Sequence, residues 1–373
     1  MDLFEGLEPS IFPTNYKEII QRVEKVNPVK YGKTRNFING NITYLSPYIS
    51  RGIISTKLVL KHVLNAGYTP KQIEKFIQEL AWRDYWQNVW IAKGDAINTD
   101  LKHTQKNVTN NEIPKAIIEG KTGVKAIDDS IAYFYKTGYI HNHLRMYIAA
   151  ITCNVAQSHW LAPAKWMYYN LLDADWASNA LSWQWVAGAN ANKKYVANQN
   201  NINKYCFTDQ KNTFLDIPYD AFSKLDIPVV LKNTIDLELK TPLPKQTTLK
   251  IDNKKPSYIY NFYNLDPIWD KSNDANRILL LEPSHFTKHP VCKNTIDFVI
   301  KFAKENIKDI QIFVGEFKSL VQTHNLTHIK YKEHPLNTHY QGTEIPRDWM
   351  FNVTGYYPSF FSFWKKCKKQ LNY

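Results

Sequence analysis

The thirteen-residue segment from Asp173 to Trp185 constrains the fold of this chain more than any other part of its sequence. It combines carboxylates and amides with three indole rings. An ordinary core helix does not carry this mixture, because acidic side chains are rarely buried without a partner. A candidate partner is Arg145, which lies upstream in the polar run that begins at His141. Together these residues predict a pocket for a large, flat and polar cofactor.

The composition indicates the size class of the protein and the kinds of molecule that it binds. The 373 residues are enough for more than one domain, and the 44% hydrophobic content is typical of a globular protein. The net charge of +13 indicates affinity for polyanions, usually nucleic acid, although solubility alone also explains such a charge. Most of the 11 Trp, 23 Tyr and 18 Phe are expected to fill the core, which leaves others for stacking surfaces or electron transfer.

The four cysteines, at positions 153, 206, 292 and 367, lie far apart in the sequence. Their spacing is not that of metal ligands, and such sparse usage is typical of a reducing cytoplasm. No stretch resembles a secretory signal or approaches the length of a membrane span. The sequence therefore predicts a cytoplasmic protein without a metal site or a membrane partner. The C-terminal histidines are expected to be solvated or to cap helices.

Residues 55–205 are predicted to be mostly helical. Ser55 is a candidate cap for a helix that ends near Ala66, and the next helix is predicted over Pro70–Lys93. The polar segment 99–115 is predicted to be a loop. Further helices are predicted near 124–136, 140–158 and 163–171.

The C-terminal part has a different character. Residues 207–275 are rich in prolines and turn residues and predict an extended connector. Apolar runs at 277–282, 310–315 and 328–331 alternate with helical periodicity and predict a small parallel α/β layer. The predicted domains are a helical domain over 1–206, a connector over 207–275 and an α/β unit over 276–373.

Four segments resemble the flavin-binding domain of photolyases and cryptochromes. In that superfamily His-Asn-x-Leu-Arg-Met precedes Asp-x-Asp-x-x-x-Asn-x-x-x-Trp-x-Trp, and the second pattern is in register here from Asp173 to Trp185. The segments Thr43–Gly52 and Glu79–Trp86 are similar to earlier parts of the same domain and occur in the same order. Four ordered motifs make a specific match, whereas one would be weak. The resemblance implies a mainly α fold, with a helical FAD-binding domain followed by a small C-terminal α/β unit.

Typical members of the superfamily begin with an α/β domain that often holds an antenna pigment. Here the flavin-like part comes almost first, and the only α/β-like unit follows it. The resemblance therefore implies an atypical member that lacks the N-terminal antenna domain, and it argues against an antenna pigment.

The resemblance also implies which residues bind FAD. Arg145 would pair with Asp173 in a bidentate manner beside the isoalloxazine, and Asn179 would face flavin N5. Thr43, Leu45 and Ser46 match a loop that supplies donors to the diphosphate. A buried salt bridge without a ligand and an ordinary helix cap remain alternatives. The other FAD contacts implied are Tyr31, Arg83, Asn142 and Asp175.

Electron transfer is implied for two indoles. Trp183 and Trp160 match the inner members of the superfamily's tryptophan relay. The region that matches the third member, near Val108, contains no Trp. Either Tyr133, Tyr135 or Tyr168 ends the relay, or photoreduction is slow. Core packing is an equally weighted interpretation of Trp160.

The remaining matches concern DNA. By their spacing Glu79, Trp82 and Arg83 lie on one helix face with Trp86, which an amphipathic core helix would also explain. The resemblance implies that Glu79 hydrogen-bonds a DNA lesion and that Trp82 and Trp185 clamp a flipped pyrimidine pair. His143 stands where dimer-splitting members usually have arginine. The implied lesion contacts are Glu79, Trp82, Asn142, His143, Met146 and Trp185.

The predicted function is light-driven repair of pyrimidine dimers in DNA. Reduced FAD would supply the electron, with Glu79, Asn179, Trp183 and Trp160 as the catalytic residues. An FAD-binding blue-light receptor without repair activity is the alternative, because His143 and the missing third tryptophan depart from the repair pattern. A helical DNA-binding protein that has lost its flavin is a third interpretation.

Overall fold

The computed structural model describes residues 12–371, which form parts of two compact units. The first unit contains Lys30–Ile42 and Lys93–Leu239, and the second contains residues 12–29, 43–92 and 240–371. The helices are α1 Tyr16–Glu24, α2 Pro28–Thr34, α3 Ser46–Ser50, α4 Thr56–Asn65, α5 Pro70–Lys93, α6 Lys115–Glu119, α7 Lys125–Thr137, α8 Asn142–Ala150, α9 Leu161–Asn170, α10 Trp176–Ala187, α11 Gln199–Cys206, α12 Pro283–Lys288, α13 Lys293–Asn306, α14 Phe317–His324 and α15 Phe360–Cys367. The strands are β1 Ile113–Pro114, β2 Thr234–Ile235, β3 Ser257–Tyr260, β4 Asn276–Leu281, β5 Gln311–Val314, β6 Ile329–Lys332 and β7 Thr343–Ile345.

The helical interpretation of residues 55–205 is confirmed. Ser55 caps α4 by accepting a hydrogen bond from the backbone N–H of Leu58 at 3.0 Å, and α5 has the predicted bounds. Helices α7, α8 and α9 lie where the periodicity predicts them. A π-helical turn, Ile151–Val155, continues α8, which accounts for the length of the predicted helix over 140–158.

Helix α10 lies in the core of the first unit. It packs against α8, α9 and the 3-10 turn Gly94–Asn98. Asp175 caps its first turn, and Gly188 ends it with a φ of 82°, a left-handed conformation that favours glycine. Most of its side chains are buried, so the helix is enclosed on nearly every face rather than amphipathic.

The second unit contains a five-stranded parallel sheet with the order β5-β4-β3-β6-β7. The predicted parallel layer is therefore confirmed. However, the central strand β3 lies inside the predicted connector 207–275, so the prediction that the α/β unit begins at residue 276 is wrong. Only four residues form this strand, and turn residues precede them. Pairing with β4 on one side and β6 on the other selects the strand conformation, which the local sequence does not signal.

The C-terminal part shows one lysine-rich segment and corrects one expectation. The lysines at 365–369 have exposed side chains, and the first two belong to α15, whose Phe360, Phe363 and Trp364 are buried. The histidines were expected to be solvated or capping, yet His289 and His334 are buried, at 5% and 9% exposure. His334 stacks on Tyr263 with ring centroids 4.2 Å apart. Aromatic packing holds both of these imidazoles.

Several features bear on cellular compartment and metals. All four cysteines are free. Within residues 12–371, no helix is both long and apolar enough to cross a membrane. The same residues include no group of three or more His, Cys, Asp or Glu side chains arranged to hold a metal ion. The cytoplasmic location stays a prediction.

A buried carboxylate on α5 connects distant segments of the second unit. Asp84 is 8% exposed and accepts hydrogen bonds from the Thr56 hydroxyl at 3.0 Å and from the backbone N–H of Met350 at 2.9 Å. Burial raises the pKa of this carboxyl to about 6, despite these bonds and the nearby Arg347 and Arg83. Asp84 lies within the motif Glu79–Trp86, but the sequence does not indicate its partner Met350, which is 266 residues away.

Asp84→Asn should change the pH dependence of stability. Because the pKa of Asp84 is higher in the folded state, the free energy of unfolding of the wild type falls as pH rises from about 4 through about 6. The variant has no carboxyl to ionise here, so its free energy of unfolding should rise by about 2–3 kcal/mol relative to that of the wild type over this interval. Urea denaturation at several pH values measures the difference. A constant difference between pH 4 and pH 7 would contradict the raised pKa.

Candidate functional site

The pair formed by Arg145 and Asp173 lies in the first unit. The guanidinium Nη2 donates to Asp173 Oδ2 at 3.0 Å, and Nε donates to the carbonyl of Ile140 at 2.9 Å. The side chain of Asp173 is 4% exposed and that of Arg145 is 22% exposed. The predicted pairing is confirmed, but not its bidentate form, because Nε binds the backbone instead of the carboxylate. Two acceptors on different segments still fix the orientation of the guanidinium.

Asp175 and Asn179 lie at the start of α10. Asp175 Oδ1 accepts from the backbone N–H of Ser178 at 2.7 Å and caps the helix. The amide nitrogen of Asn179 donates to the carbonyl of Ala164 at 2.8 Å. A carbonyl can only accept, so the nitrogen must face Ala164, and the amide oxygen and the second N–H of Asn179 stay available to a ligand. The fold thus fixes the orientation of the amide, which can still accept through its oxygen.

Two tryptophans of the proposed relay are buried in this unit. Trp183 on α10 is 2% exposed, whereas Trp160 is fully buried and precedes α9. The indole N–H of Trp160 donates to Asp100 Oδ1 at 2.8 Å. His159 Nε2 lies 3.2 Å from the same oxygen. A carboxylate beside an indole stabilises the positive charge that remains when the ring loses an electron. The motif match did not identify Asp100, which lies in the predicted loop.

The three tyrosines considered for the end of the relay differ in exposure. Tyr133 and Tyr168 are buried, at 7% and 1%. Tyr135 is 45% exposed, and its hydroxyl accepts from the indole N–H of the buried Trp166 at 3.0 Å. Of the three, Tyr135 therefore has the environment expected for a surface member.

The predicted diphosphate loop lies in the second unit. The hydroxyl of Thr43 accepts from the backbone N–H of Leu45 at 3.4 Å, and α3 begins at Ser46. Leu45 is 2% exposed, so only its backbone is suited to a polar ligand. Tyr44 has a φ of 53°, an unusual conformation for a bulky residue. The motif ends at Gly52, where a Cβ would lie 2.5 Å from the carbonyl of Tyr263, so only glycine fits this approach.

Helix α5 carries the other predicted residues of this unit. Arg83 Nη1 donates to the hydroxyl of Ser50 at 2.6 Å. Glu79 forms an ion pair with Lys75 at 2.9 Å. The ring of Trp82 stacks on Phe360 with centroids 3.8 Å apart. Phe360 thus covers one face of the indole that was expected to contact a lesion, a partner that sequence reasoning missed because α15 lies far along the chain.

The remaining predicted residues are partly accessible. Tyr31 in α2 and Met146 in α8 are partly buried, Asn142 is exposed, and Trp185 is 40% exposed. His143 Nδ1 lies 2.9 Å from the carbonyl of Asn36, and Nε2 lies 3.4 Å from the Tyr195 hydroxyl. Burial, with a further contribution from Arg35, lowers the pKa of His143. A neutral imidazole therefore donates to the carbonyl and accepts from the phenol, which makes it a poor partner for phosphate.

The donors and acceptors in each unit suit a polar cofactor. In the first unit, the guanidinium of Arg145 lies 6.0 Å from the ring centre of Tyr139, and α10, which carries Asn179, packs against α8. The buried hydroxyl of Ser178, which precedes Asn179, has no hydrogen-bond partner in residues 12–371. In the second unit, Arg83, Thr43 and Ser46 supply a cation and hydroxyls.

Comparison with known proteins decides the identity of the cofactor domain. A family model described as the FAD binding domain of DNA photolyase matches residues 76–220. Residues 76–220 therefore match the FAD-binding domain of DNA photolyase, which agrees with the resemblance of the four motifs. Its cofactor is FAD. The matched range contains α10 and the Arg145–Asp173 pair.

Curated relatives bear the name deoxyribodipyrimidine photo-lyase. That of Alkalihalophilus pseudofirmus is 30% identical over 152 residues, which are 38% of this chain and 30% of the relative. That of Buchnera aphidicola subsp. Acyrthosiphon pisum is 26% identical over 271 residues, which are 68% of this chain and 53% of the relative. The solved cryptochrome of Synechocystis sp. PCC6803 aligns with 52% of this chain and 44% of its own, at 20% identity and a TM-score of 0.47. The chain thus spans about a third to a half of the length of these proteins.

Arg145→Gln should lower both stability and FAD content. Removing the guanidinium leaves the buried Asp173 without its cation, which should cost about 3 kcal/mol in free energy of unfolding. Affinity for FAD should fall roughly tenfold or more, because a charge-assisted contact contributes about 1.5–3 kcal/mol. Chemical denaturation and flavin absorbance of the purified protein measure the two effects.

The double variant Arg145→Gln, Asp173→Asn separates these effects. It removes both charges, so most of the stability should return while FAD affinity stays low. If either variant bound as much FAD as the wild type, the assignment of Arg145 and Asp173 to the FAD site would be contradicted.

Proposed function

We propose that this protein is a light-dependent, FAD-containing DNA repair enzyme that splits pyrimidine dimers. The environment of Asn179 on α10 carries the proposal: an amide whose nitrogen is bound to Ala164 presents its oxygen, and it has no acidic proton to give. Within the superfamily, the resemblance associates an amide at this position with repair and an acid with plant-type photoreceptors. Relatives named deoxyribodipyrimidine photo-lyase support the same reaction class.

The proposed division of labour leaves the chemistry to the cofactor. Bound FAD would supply light-driven electron transfer to and from the dimer, with no net redox change. In the first unit, Arg145 and Asp173 would hold the cofactor, and the amide oxygen of Asn179 would accept a hydrogen bond from the flavin N–H. Glu79 would hydrogen-bond the lesion, and Trp185 would stack on an extruded base. Extrusion costs a few kcal/mol, which stacking of about 1–3 kcal/mol per base offsets.

Reduction of the cofactor would use the chain's indoles. Electrons would enter through Trp183 and Trp160, and the carboxylate of Asp100 beside Trp160 favours the oxidised ring. Tyr135, the exposed member of the three candidate tyrosines, would end the relay together with Trp166. The high isoelectric point, about 9.2, suits a polyanionic substrate.

The second candidate function is a blue-light receptor that binds FAD without repairing DNA. Two observations favour it. Phe360 covers one face of Trp82, and His143, bound to Asn36 and Tyr195, replaces an arginine that would contact phosphate. Either change would weaken lesion binding while leaving the cofactor site intact.

An illuminated repair assay separates the two functions. Protein with reduced FAD should restore dimer-containing oligothymidylate under blue light and leave it unchanged in the dark. Glu79→Ala should lower the quantum yield of repair without releasing FAD, because Glu79 would contact the lesion and not the flavin. An absence of restoration by fully reduced protein would remove the repair proposal and leave the receptor.

Trp183→Phe should slow photoreduction of oxidised FAD, because phenylalanine is much harder to oxidise than tryptophan, and FAD content should be unchanged. Tyr135→Phe should slow it more than the matched Tyr168→Phe, since Tyr168 is 1% exposed. Absorbance of the flavin under continuous light gives the rates. Equal rates in the wild type and the Trp183 variant would contradict the relay.

A further inference from the structure

Six aromatic side chains form a continuous series in the first unit. Trp185 lies 6.0 Å from Tyr195 between ring centroids, and the Tyr195 hydroxyl lies 3.4 Å from Nε2 of His143. His143 then contacts Tyr205 at 4.6 Å between centroids. The series continues from Tyr205 to Phe37 at 4.9 Å and from Phe37 to Phe207 at 5.6 Å. We call these six residues the stacking strip.

The two ends of the stacking strip are the most accessible parts of it. Phe207 is 60% exposed and Trp185 is 40% exposed, while the four rings between them are partly buried. Phe207 also adopts a φ of 55° after the last turn of α11, where glycine or asparagine is usual. Both the exposure of the apolar ring and the positive φ cost free energy in the folded state, which indicates that Phe207 has a function in binding.

Basic residues accompany the stacking strip, one in direct contact with a ring and others close to its members in sequence. The ammonium of Lys204 lies 5.3 Å from the ring centre of Tyr205. Lys193 precedes Tyr195 by two residues and is exposed, and Arg35 and Lys33 precede Phe37. Asp209 is the acidic residue that follows Phe207 in sequence. Aromatic rings stack on nucleic-acid bases, and the cations between them neutralise phosphates of the strand. A hydrophobic protein partner would not require these cations.

We propose that the stacking strip binds unpaired DNA next to the lesion, so that the substrate is single-stranded DNA. The inference rests on the proposed repair function and specifies its substrate. Unpaired bases offer their faces to aromatic rings, while the faces in a duplex are covered by neighbouring bases. The bases beside an extruded dimer would continue from Trp185 toward Phe207, and Lys204 would neutralise a phosphate of the same strand.

The test measures affinity for undamaged DNA in the dark. A fluorescent oligothymidylate of about twelve nucleotides, within the usual length of single-strand sites, is titrated with FAD-loaded protein, and a duplex of equal length is titrated in parallel. Phe207→Asn removes the ring and suits the backbone angle, so it should fold at least as well as the wild type. It should weaken binding of the single strand roughly 5- to 150-fold and leave duplex binding unchanged.

Two further variants sharpen the test. Lys204→Ala should weaken single-strand binding and reduce the slope of log affinity against log salt by about 0.7. Val229→Asn, at a side chain of the same unit that is 84% exposed, is the matched control and should change neither affinity. The proposal is overturned if Phe207→Asn behaves like Val229→Asn, or if it weakens duplex and single-strand binding equally.

The two proposals can fail separately. Splitting of a thymine dinucleotide dimer by the wild type under blue light tests the repair function with a substrate too short to reach Phe207. If that splitting is absent while the strip variants still lose single-strand affinity, the repair proposal fails and the binding surface stands. If splitting occurs and Phe207→Asn has no effect on single-strand affinity, the strip fails and repair stands.

Discussion

The burial of α10 together with polar side chains is the constraint on which the rest of the first unit depends. Gln184 is fully buried, and its amide donates to the carbonyl of Ile97 at 2.8 Å and accepts from the backbone N–H of Leu101 at 3.1 Å. The indole N–H of Trp176 donates to Asn98 at 2.7 Å. Each such group left without a partner would cost about 1–3 kcal/mol, so residues 97–101 are held against the helix.

This constraint extends to the proposed redox residues. The segment held by α10 contains Asp100, whose carboxylate accepts from the indole of Trp160. The same helix carries Asn179, and the bond from its amide to Ala164 ties α10 to α9. A single buried helix thus sets the position of the carboxylate beside one indole and the orientation of the amide. Repacking α10 would disturb both together, because neither contact is made by residues close in sequence.

Sequence patterns predicted the helices and caps that carry the candidate site residues, but they predicted few of the contacts that these residues make with distant segments. Helix α5 and the cap of α4 follow from spacing and capping residues, whose effects reach only one or two turns. The motif match identified Arg145 and Asp173 as a pair, but a second acceptor, the carbonyl of Ile140, replaced the expected bidentate contact. Phe360 on Trp82 and Met350 on Asp84 were not predictable, since hundreds of residues separate the partners.

The sequence by itself determined the resemblance to the photolyase FAD-binding domain, the helical character of residues 55–205 and the candidate cofactor residues, because ordered motifs and periodicity are local properties of the chain. Only the tertiary structure decided that β3 is the centre of the sheet and that the amide nitrogen of Asn179 faces the carbonyl of Ala164. It also decided that six aromatic side chains from separate segments form one series. Each of these depends on which groups meet across the fold, where pairing and desolvation are determined by distant residues.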